Sequence, residues 1–204
     1  MGLISNGSTI FDAGSMSAGF GGSMVFIKKL TASSSATLSF VDGSDGVVLD
    51  SSFKEYVFTF NNIHPSNDSD IFQFNVSTDG GSNYNIAKTS TFFRAYHGEG
   101  GAGGVLGYET GSDLAQGTGG QRLTEPLIGS DNDQSASGYL HLFNPSSTTF
   151  VKHFIASMSA YHAADYHVQS HIGGYANTSS AINSIQFSTN NNIDSGDICL
   201  YGIA

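Results

Sequence analysis

The feature that most constrains the fold is an alternation of large apolar residues, with a period of two, along residues 54–84. Every second position from Tyr56 to Phe60 is aromatic, and every second position from Phe72 to Val76 is aromatic or β-branched. A period of two places consecutive side chains on opposite faces of a β-strand, so one face can enter a core. The stretch therefore predicts two strands whose aromatic faces are buried.

Turn-forming residues separate and end these strands. Residues 61–68, NNIHPSND, predict a turn in which Pro65 has no N–H to donate to a sheet. Asp79 and the two glycines after it predict a tight turn over residues 79–83, because glycine tolerates positive φ angles. The stretch is thus predicted to form a strand, a loop, a second strand and a turn into a third.

The same alternation, interrupted by turn signals, continues along the chain and predicts about ten to twelve short strands. Residues 42–46 predict a hairpin turn, and residues 190–192 and 194–196 predict the last turns. A weakly patterned segment from Gly98 to Ser137 contains candidate short strands at 105–108 and 123–128. The other predicted strands are 24–30, 38–41, 47–49, 56–60, 72–76, 89–97, 139–143, 149–157, 165–176, 184–188 and 197–203.

These patterns favour an all-β protein. The most helix-like segment, residues 154–164, is weakened as a helix by Ser157, Ser159 and Tyr161. We predict an antiparallel two-sheet sandwich, jelly-roll-like, with one long glycine-rich loop region at 98–137. Residues 1–23, rich in Gly and Ser, are predicted to form an extended arm, and residues 24–204 a single β-sandwich domain.

Composition narrows the class of protein. The chain has 204 residues, 39% of them hydrophobic with 15 Phe and 9 Tyr, which favours one packed domain over disorder. Its formal net charge of −10 argues against binding to nucleic acid, which requires lysine and arginine. Cys199 is the only cysteine, which excludes an internal disulfide. Without a signal peptide or an apolar run of about 18 residues, we expect synthesis in the cytoplasm and no membrane insertion.

Two groups of residues have the chemistry of metal ligands. His162, His167 and His171 are clustered in the sequence, with Asp165 nearby and His141 and His153 further away, and imidazole suits zinc, nickel or copper. We interpret these histidines as polar strand residues on a solvated or subunit-facing surface. The pairs Asp42/Asp45 and Asp131/Asp133 offer oxygen ligands for calcium, but without the EF-hand spacing, and we interpret them as turns. No metal site and no cofactor is therefore predicted.

Catalytic motifs are missing from the sequence. There is no GxSxG elbow, and residues 98–104 are glycine-rich without the Lys-Ser/Thr of a phosphate-binding loop. Cys199 lies between Ile198 and Leu200 and is predicted to be a buried structural thiol. The acidic residues fall mostly in turns rather than as the carboxylate pair that a glycosidase needs. We predict a protein that is not an enzyme, with no catalytic residue.

Six segments of the chain are distinctive when taken together: MVFIKKLTASSSATLSFVDG, FNNIHPSND, STDGGSNYN, STFFRAYH, LHLFNPSSTTFVKHF and IQFSTNNNIDSGDICLYGIA. In the last of them two predicted strands flank an SG turn and close in LYGI. These segments resemble a family of small β-rich, virion-associated structural proteins of tailed phages of marine bacteria, and the resemblance extends from about Ile4 to the C-terminus. It implies a β-rich fold and a place on the virion, and it carries no catalytic motif.

The leading expectation is thus a non-enzymatic structural protein of a bacteriophage virion, exposed on the particle surface as a capsid decoration or a tail- or fibre-associated subunit. Its expected partners are further copies of itself and other capsid or tail proteins, and its N-terminal arm is expected to lie across a neighbouring subunit. The alternative is a carbohydrate-binding module that attaches to a host surface glycan, with Tyr108 and Tyr139 as candidate contacts. A polysaccharide-degrading enzyme is the third hypothesis.

Overall fold

A computed structural model describes residues 3–5, 8–12, 15–16, 23–125 and 127–204. All regular structure in these residues is β-strand, and none of it is helical. In the segment with the most helix-like sequence, 154–164, residues 154–162 belong to the strand Lys152–His162 and residues 163–164 form a turn. The prediction of an all-β protein is therefore confirmed. The described part of the chain also contains no helix of the length and hydrophobicity needed to cross a membrane.

The strands are numbered in chain order. They are β1 Leu3–Ser5, β2 Ser8–Asp12, β3 Ser15–Met16, β4 Met24–Thr31, β5 Ser35–Val41, β6 Glu55–Pro65, β7 Gln73–Ser77, β8 Lys88–Gly98, β9 Gly104–Tyr108, β10 Gln121–Arg122, β11 Ala136–Phe143, β12 Lys152–His162, β13 Tyr166–Ala176 and β14 Ser184–Ile203.

Eleven of these strands form one antiparallel sheet that curls into a half-barrel. Its order is β10-β7-β14-β6-β11-β12-β13-β8-β9, and β4 and β5 pair with the other side of β14. The curl brings strands far apart in this order into contact, since the ring centroids of Phe74 on β7 and Phe154 on β12 are 5.1 Å apart. The Lys88 ammonium of β8 also donates a hydrogen bond to Asn75 Oδ1 of β7.

The centre of the sheet is the 20-residue strand β14. Its first half pairs with β7 and β5, and its second half pairs with β6 and β4. The chain segments β4–β5 and β6–β7 therefore each run antiparallel to the whole of β14, one on each side. Residues 32–34 separate β4 from β5, and residues 66–72 separate β6 from β7. At the same level β14 continues without a break, but the register of its pairing with β5 shifts between Ser188 and Ile193. Irregularities of this kind bend a strand and increase its twist.

Aromatic side chains fill the space enclosed by the sheet. The ring of Phe187 on β14 lies 5.3 Å from Phe58 and 5.2 Å from Phe60, and it also packs against the rings of Phe40, Phe72 and Phe74. All six rings are almost fully buried. The aromatic alternation of the sequence is thus the alternation of buried positions on β6 and β7. Truncating one such ring typically costs about 3–5 kcal/mol of stability.

The predicted turn at 61–68 is wrong for residues 61–65 and right for residues 66–68, which lie outside any strand. The predicted turns at 190–192 and 194–196 are wrong, because these residues belong to a strand. Asn61–Pro65 continues β6 and pairs with β14, in which the two later segments lie. The register shifts along this pairing, and Asn62 with φ 51° and Gly196 with φ 123° adopt positive angles there. Turn-forming residues here produce bulges inside a long pairing, which sequence reasoning took for chain reversals.

Two predicted strands are also wrong. Residues 47–49 have no strand structure, although Val47 and Leu49 are buried. Their N–H groups bond within the turn, Val47 to the Ser44 carbonyl and Leu49 to Asp42 Oδ1, so they need no partner strand. Within 123–128 only Ile128 forms isolated bridges, while the short strand β10 lies just before, at Gln121–Arg122.

The predicted arm, residues 1–23, is described in part. Strands β1, β2 and β3 form a small antiparallel sheet of their own. Residues 1–2, 6–7, 13–14 and 17–22, which also belong to the predicted arm, lie outside the described residues. The expectation that the arm crosses a neighbouring subunit stays a prediction.

Candidate functional site

The outer surface of the sheet carries a wide area without Lys, Arg, Asp or Glu. The strands β11, β12, β13, β8 and β9 lie side by side, and each alternates between core and outside. We define the uncharged face as the outward residues at every second position of 137–143, 153–161, 167–175 and 89–97, together with Leu106 and Tyr108. None of these residues is Lys, Arg, Asp or Glu. The face thus spans five neighbouring strands of a protein whose formal net charge is −10.

Both tyrosines named as glycan contacts lie on the uncharged face. One row of cross-strand neighbours runs from Tyr139 through Ser157, His171 and Phe93 to Tyr108. The Tyr108 ring packs edge-on against Phe93, with the centroids 5.3 Å apart. Its hydroxyl donates a 2.5 Å hydrogen bond to Asp113, which raises the pKa of Tyr108. The two tyrosines are exposed at opposite ends of this row, four strands apart.

Histidines are concentrated on the same face, which holds five of the seven: His97, His141, His153, His167 and His171. His162, the third member of the cluster in the sequence, lies on the opposite side of the sheet and lines a separate pocket. The strand alternation therefore splits this cluster between two surfaces. Among the described residues, no three His, Cys, Asp or Glu side chains come together as metal ligands.

A depression of about 240 Å³ lies at one end of the uncharged face and is rich in hydroxyl groups. Ser159 Oγ and His167 Nε2 are 3.0 Å apart within it. A hydrogen bond from the Tyr161 hydroxyl to Glu99, with burial as a smaller cause, raises the pKa of Tyr161 to about 12. The lining residues are Glu99, Ser135, Ser137, Ser159, Ala160, Tyr161 and His167. These groups can donate and accept several hydrogen bonds to a polar ligand.

The Ser159–His167 pair lacks the other parts of a hydrolase. None of the hydrogen bonds found within the described ranges joins His167 to a carboxylate that would orient it. Ser159 lies in the middle of β12 and pairs with β11 on one side and β13 on the other. Strand pairing on both sides engages its backbone groups in the sheet, so the side chains are the polar groups that face the depression. Ser159 and His167 are therefore placed to hydrogen-bond a polar ligand.

A second, smaller pocket of about 210 Å³ lies on the inner side of the sheet, and Glu125 of the segment 98–137 forms part of its wall. Arg94 forms ion pairs with Glu109 and Glu125, and its guanidinium carbon lies 5.3 Å from the centre of the Tyr96 ring. Burial, with Arg94 as a smaller cause, lowers the pKa of His162. The lining residues are Arg94, Tyr96, Glu125, His162, Tyr166 and Val168.

The ion pairs of Arg94 connect the segment 98–137 to β8. They also make this pocket a poor match to the active site of a glycosidase. The two glutamates belong to the segment that follows β8, so Arg94 ties this segment to the sheet. A glycosidase uses one carboxyl group as a proton donor and the other as a base or nucleophile. Here both carboxylates contact the same guanidinium, so neither is isolated as a proton donor.

The remaining residues that sequence reasoning singled out have local roles. Asp42 accepts the Leu49 N–H, Asp45 pairs with Lys28, and the Asp131 N–H donates to Gln134. Cys199 is buried, as predicted. Residues 98–104 form the end of the β8–β9 hairpin, with the Gly98 N–H bonded to the Ala102 carbonyl. Asp133 and His64 both line another polar depression.

Sequence reasoning missed the uncharged face, although its signal is present in the sequence. Reading every second residue of the strands at 89–97 and 153–161 gives only Ala, Thr, Ser, Tyr, Phe, His and Ile. The Arg94 ion pairs have no comparable signal, because their partners lie 15 and 31 positions along an irregular segment.

Comparisons with known proteins identify no relative: no family model matches the chain, and no curated protein and no solved structure matches it.

Proposed function

We propose that this protein is a non-enzymatic structural subunit of a bacteriophage virion, exposed on the particle surface as a capsid decoration or a tail- or fibre-associated subunit. The observation that carries the proposal is the uncharged face, which spans five strands. Depletion of charged residues together with enrichment in aromatic ones distinguishes the centres of protein–protein interfaces from the rest of a protein surface. A protein that is built to be packed among others would present such a face.

Other features support the same proposal. The sequence resembles virion-associated proteins of tailed phages along most of its length. The core depends on packed aromatic rings and contains no disulfide, since Cys199 is the only cysteine, so stability does not depend on the redox compartment. The partners under this proposal are further copies of the chain and other capsid or tail proteins, and neither nucleic acid nor a membrane is among them. The chain would assemble in the host cytoplasm and end up on the virion.

We further propose that the curled sheet is arranged as a two-layer, jelly-roll-like sandwich. The layer formed by β5, the first half of β14, β7 and β10 would cover the layer formed by β6, β11, β12, β13 and β8. The contact between Phe74 and Phe154 and the packing of Phe187 against Phe58 support this arrangement. In that arrangement the uncharged face is the outer surface of the larger layer.

The proposed function is tested by locating the chain in purified particles. We expect peptides of this protein in particles that survive density-gradient purification, and density for it on the outside of a cryo-electron microscopy map. Antibodies against the purified protein are expected to bind intact particles. Mature, infectious particles that lack the polypeptide would contradict the proposal.

The alternative function is a carbohydrate-binding module for host attachment, and the hydroxyl-rich depression around His167 is the observation that favours it. Tyr161, Glu99 and Ser159 present donors and acceptors there, and Tyr108 and Tyr139 add exposed rings on the same face. Binding to a glycan array that is lost on Tyr161→Phe or Tyr108→Ala, with Phe150→Ala as the exposed control, would establish this function. Failure of the wild-type protein to bind any bacterial surface glycan would exclude it.

A further inference from the structure

We propose that a second copy of this chain covers the uncharged face, through a contact in which the same face of both copies takes part. The inference deepens the proposed function and rests on it for the expectation that copies of the chain meet in an assembly. It names the surface by which they meet, which the proposed function leaves open.

Charge selects the uncharged face for contact between identical copies. Each copy has a formal net charge of −10, so two copies repel each other wherever both present carboxylates. Acidic residues surround the face, with Glu55 on β6, Glu99 after β8 and Asp113 after β9. Contact through the face itself keeps these carboxylates at the edge, where water screens them, so it brings two copies together with the least repulsion.

The relief of the face suits a self-complementary contact. Ile155 on β12 and Phe93 on β8 protrude, with 53% and 47% of their surface exposed. Between these two strands lies β13, where Gly173 is directly opposite Ile155. A Cβ atom added at Gly173 would have only the Thr91 hydroxyl, at 3.9 Å, as a neighbour. The Ile155 side chain therefore projects beside an open hollow at Gly173. In a contact about a twofold axis, Ile155 of each copy can enter the hollow of the other copy.

The area of the face matches the lower range of stable interfaces. The strand segments that carry the face comprise 37 residues in all. With strands about 4.8 Å apart and a rise of about 3.3 Å per residue, they cover on the order of 600 Å² in plane. A standard interface buries about 800 Å² on each partner, and weaker ones bury less. A dimer that forms in a concentration-dependent manner is the expected consequence.

The test measures the mass of the purified protein in solution by sedimentation and by light scattering over a range of concentrations. The wild-type protein is expected to dimerise. Ile155→Glu and His171→Glu each place a carboxylate at the centre of the face, and each is expected to raise the dissociation constant about 100-fold or more. Ile155 is more than half exposed and His171 is exposed, so both variants are expected to fold, which their thermal unfolding checks.

The matched control is Phe150→Glu. Phe150 is an even more exposed apolar residue, but it lies in the loop before β12 and outside the uncharged face, so this variant is expected to dimerise as the wild type does. A wild-type protein that is monomeric at all concentrations, or folded face variants that still dimerise, would overturn the inference. So would a monomer whose uncharged face binds glycans. A dimer that is absent from virions would leave the inference standing and contradict the proposed function alone.

Discussion

Asp70 lies in the connection between β6 and β7 and joins it to β14. Its carboxylate is buried and accepts hydrogen bonds from the N–H groups of Ile71, Asn190 and Asn191, and from the Asn191 side-chain amide. Its carbonyl also accepts the Ile128 N–H. One side chain thus joins the connection between β6 and β7 to residues 190–191 of β14. Four donors converge on it, and water would otherwise have to satisfy them in a closed space.

We predict that Asp70→Asn lowers the free energy of unfolding by about 3 kcal/mol, because the amide turns a donor toward groups that are themselves donors. Urea unfolding measures the loss. Asp45→Asn is the control, since the Asp45 carboxylate is exposed and forms a surface ion pair with Lys28. That change is expected to cost less than about 1 kcal/mol. Equal losses for the two variants would contradict the assigned role of Asp70.

Lys88 gives the protein a predictable dependence on pH. Its side chain is buried and donates hydrogen bonds to Asn75 Oδ1 and the Ile86 carbonyl. Neither of these partners is a carboxylate. Burial lowers the pKa of Lys88 to about 8. Between about pH 8 and the ordinary lysine value of about 10.4, the unfolded chain binds this proton more tightly, so stability rises with pH. The total gain is on the order of 3 kcal/mol.

We expect the free energy of unfolding of the wild-type protein to rise, relative to Lys88→Met, between about pH 7.5 and pH 10. Measurements stop near pH 10 because the raised pKa of Tyr56, about 12, contributes stability that is complete below pH 10 and lost above it. Lys54→Met, at an exposed lysine, is the control and is expected to retain the wild-type profile. Identical profiles for wild type and Lys88→Met would refute the prediction.

At the scale of the elements, β14 determines how the sheet is folded. It is the only strand among the described residues that pairs with four others, and it does so by changing partners along its length. The change requires irregular backbone beside β6. Gly196 provides it with φ 123°, and a Cβ at this position would lie 2.6 Å from the Asn62 carbonyl oxygen.

We predict that Gly196→Ala destabilises the protein by about 2–4 kcal/mol, from the unfavourable φ and the close approach of backbone atoms that cannot move apart easily. Chemical unfolding monitored by tyrosine fluorescence measures this. Gly107→Ala provides the comparison, because Gly107 is also a strand glycine but has space around it and no positive φ. A loss for Gly196→Ala no larger than that for Gly107→Ala would show that the bulge is not constrained.

At the scale of the whole molecule, the acidic residues lie outside the uncharged face, and this distribution of charge determines how copies interact. The formal net charge of −10 opposes association of the copies. The uncharged face has no Lys, Arg, Asp or Glu, and its His141 is paired with Glu55 of the same copy, so this ion pair does not join two copies. Salt shortens the range of electrostatic repulsion to about 8 Å at physiological ionic strength.

We therefore predict that the dimer becomes tighter as the potassium chloride concentration rises from about 10 mM to about 150 mM, where the screening length falls from about 30 Å to about 8 Å. Sedimentation at a fixed protein concentration checks this, with the monomeric Ile155→Glu variant as the reference for non-specific salt effects. Dissociation on adding salt would indicate an interface held by ion pairs, and would place it outside the uncharged face.

How far the sequence predicted the structure depended on whether the decisive contacts were local. The strands at 24–30, 89–97, 139–143 and 165–176 were predicted closely, because each shows regular alternation between clear turn signals. Residues 61–65 and 190–196 were misassigned, because Asn, Asp, Gly and Pro have the same local preferences in bulges as in turns. The histidine cluster was divided between two surfaces by alternation within strands whose boundaries were predicted closely.

By itself, the sequence determined that this chain is all-β, antiparallel, aromatic in its core and negatively charged, because period two and composition act at every position independently of distant neighbours. The tertiary structure alone decided that β14 pairs with four strands, that the sheet curls into one half-barrel, and that Arg94 holds the long segment. It also decided which outward residues become neighbours across five strands. Those outcomes depend on pairings between residues up to more than a hundred positions apart, and such pairings are selected by the fit of the whole core rather than by local pattern.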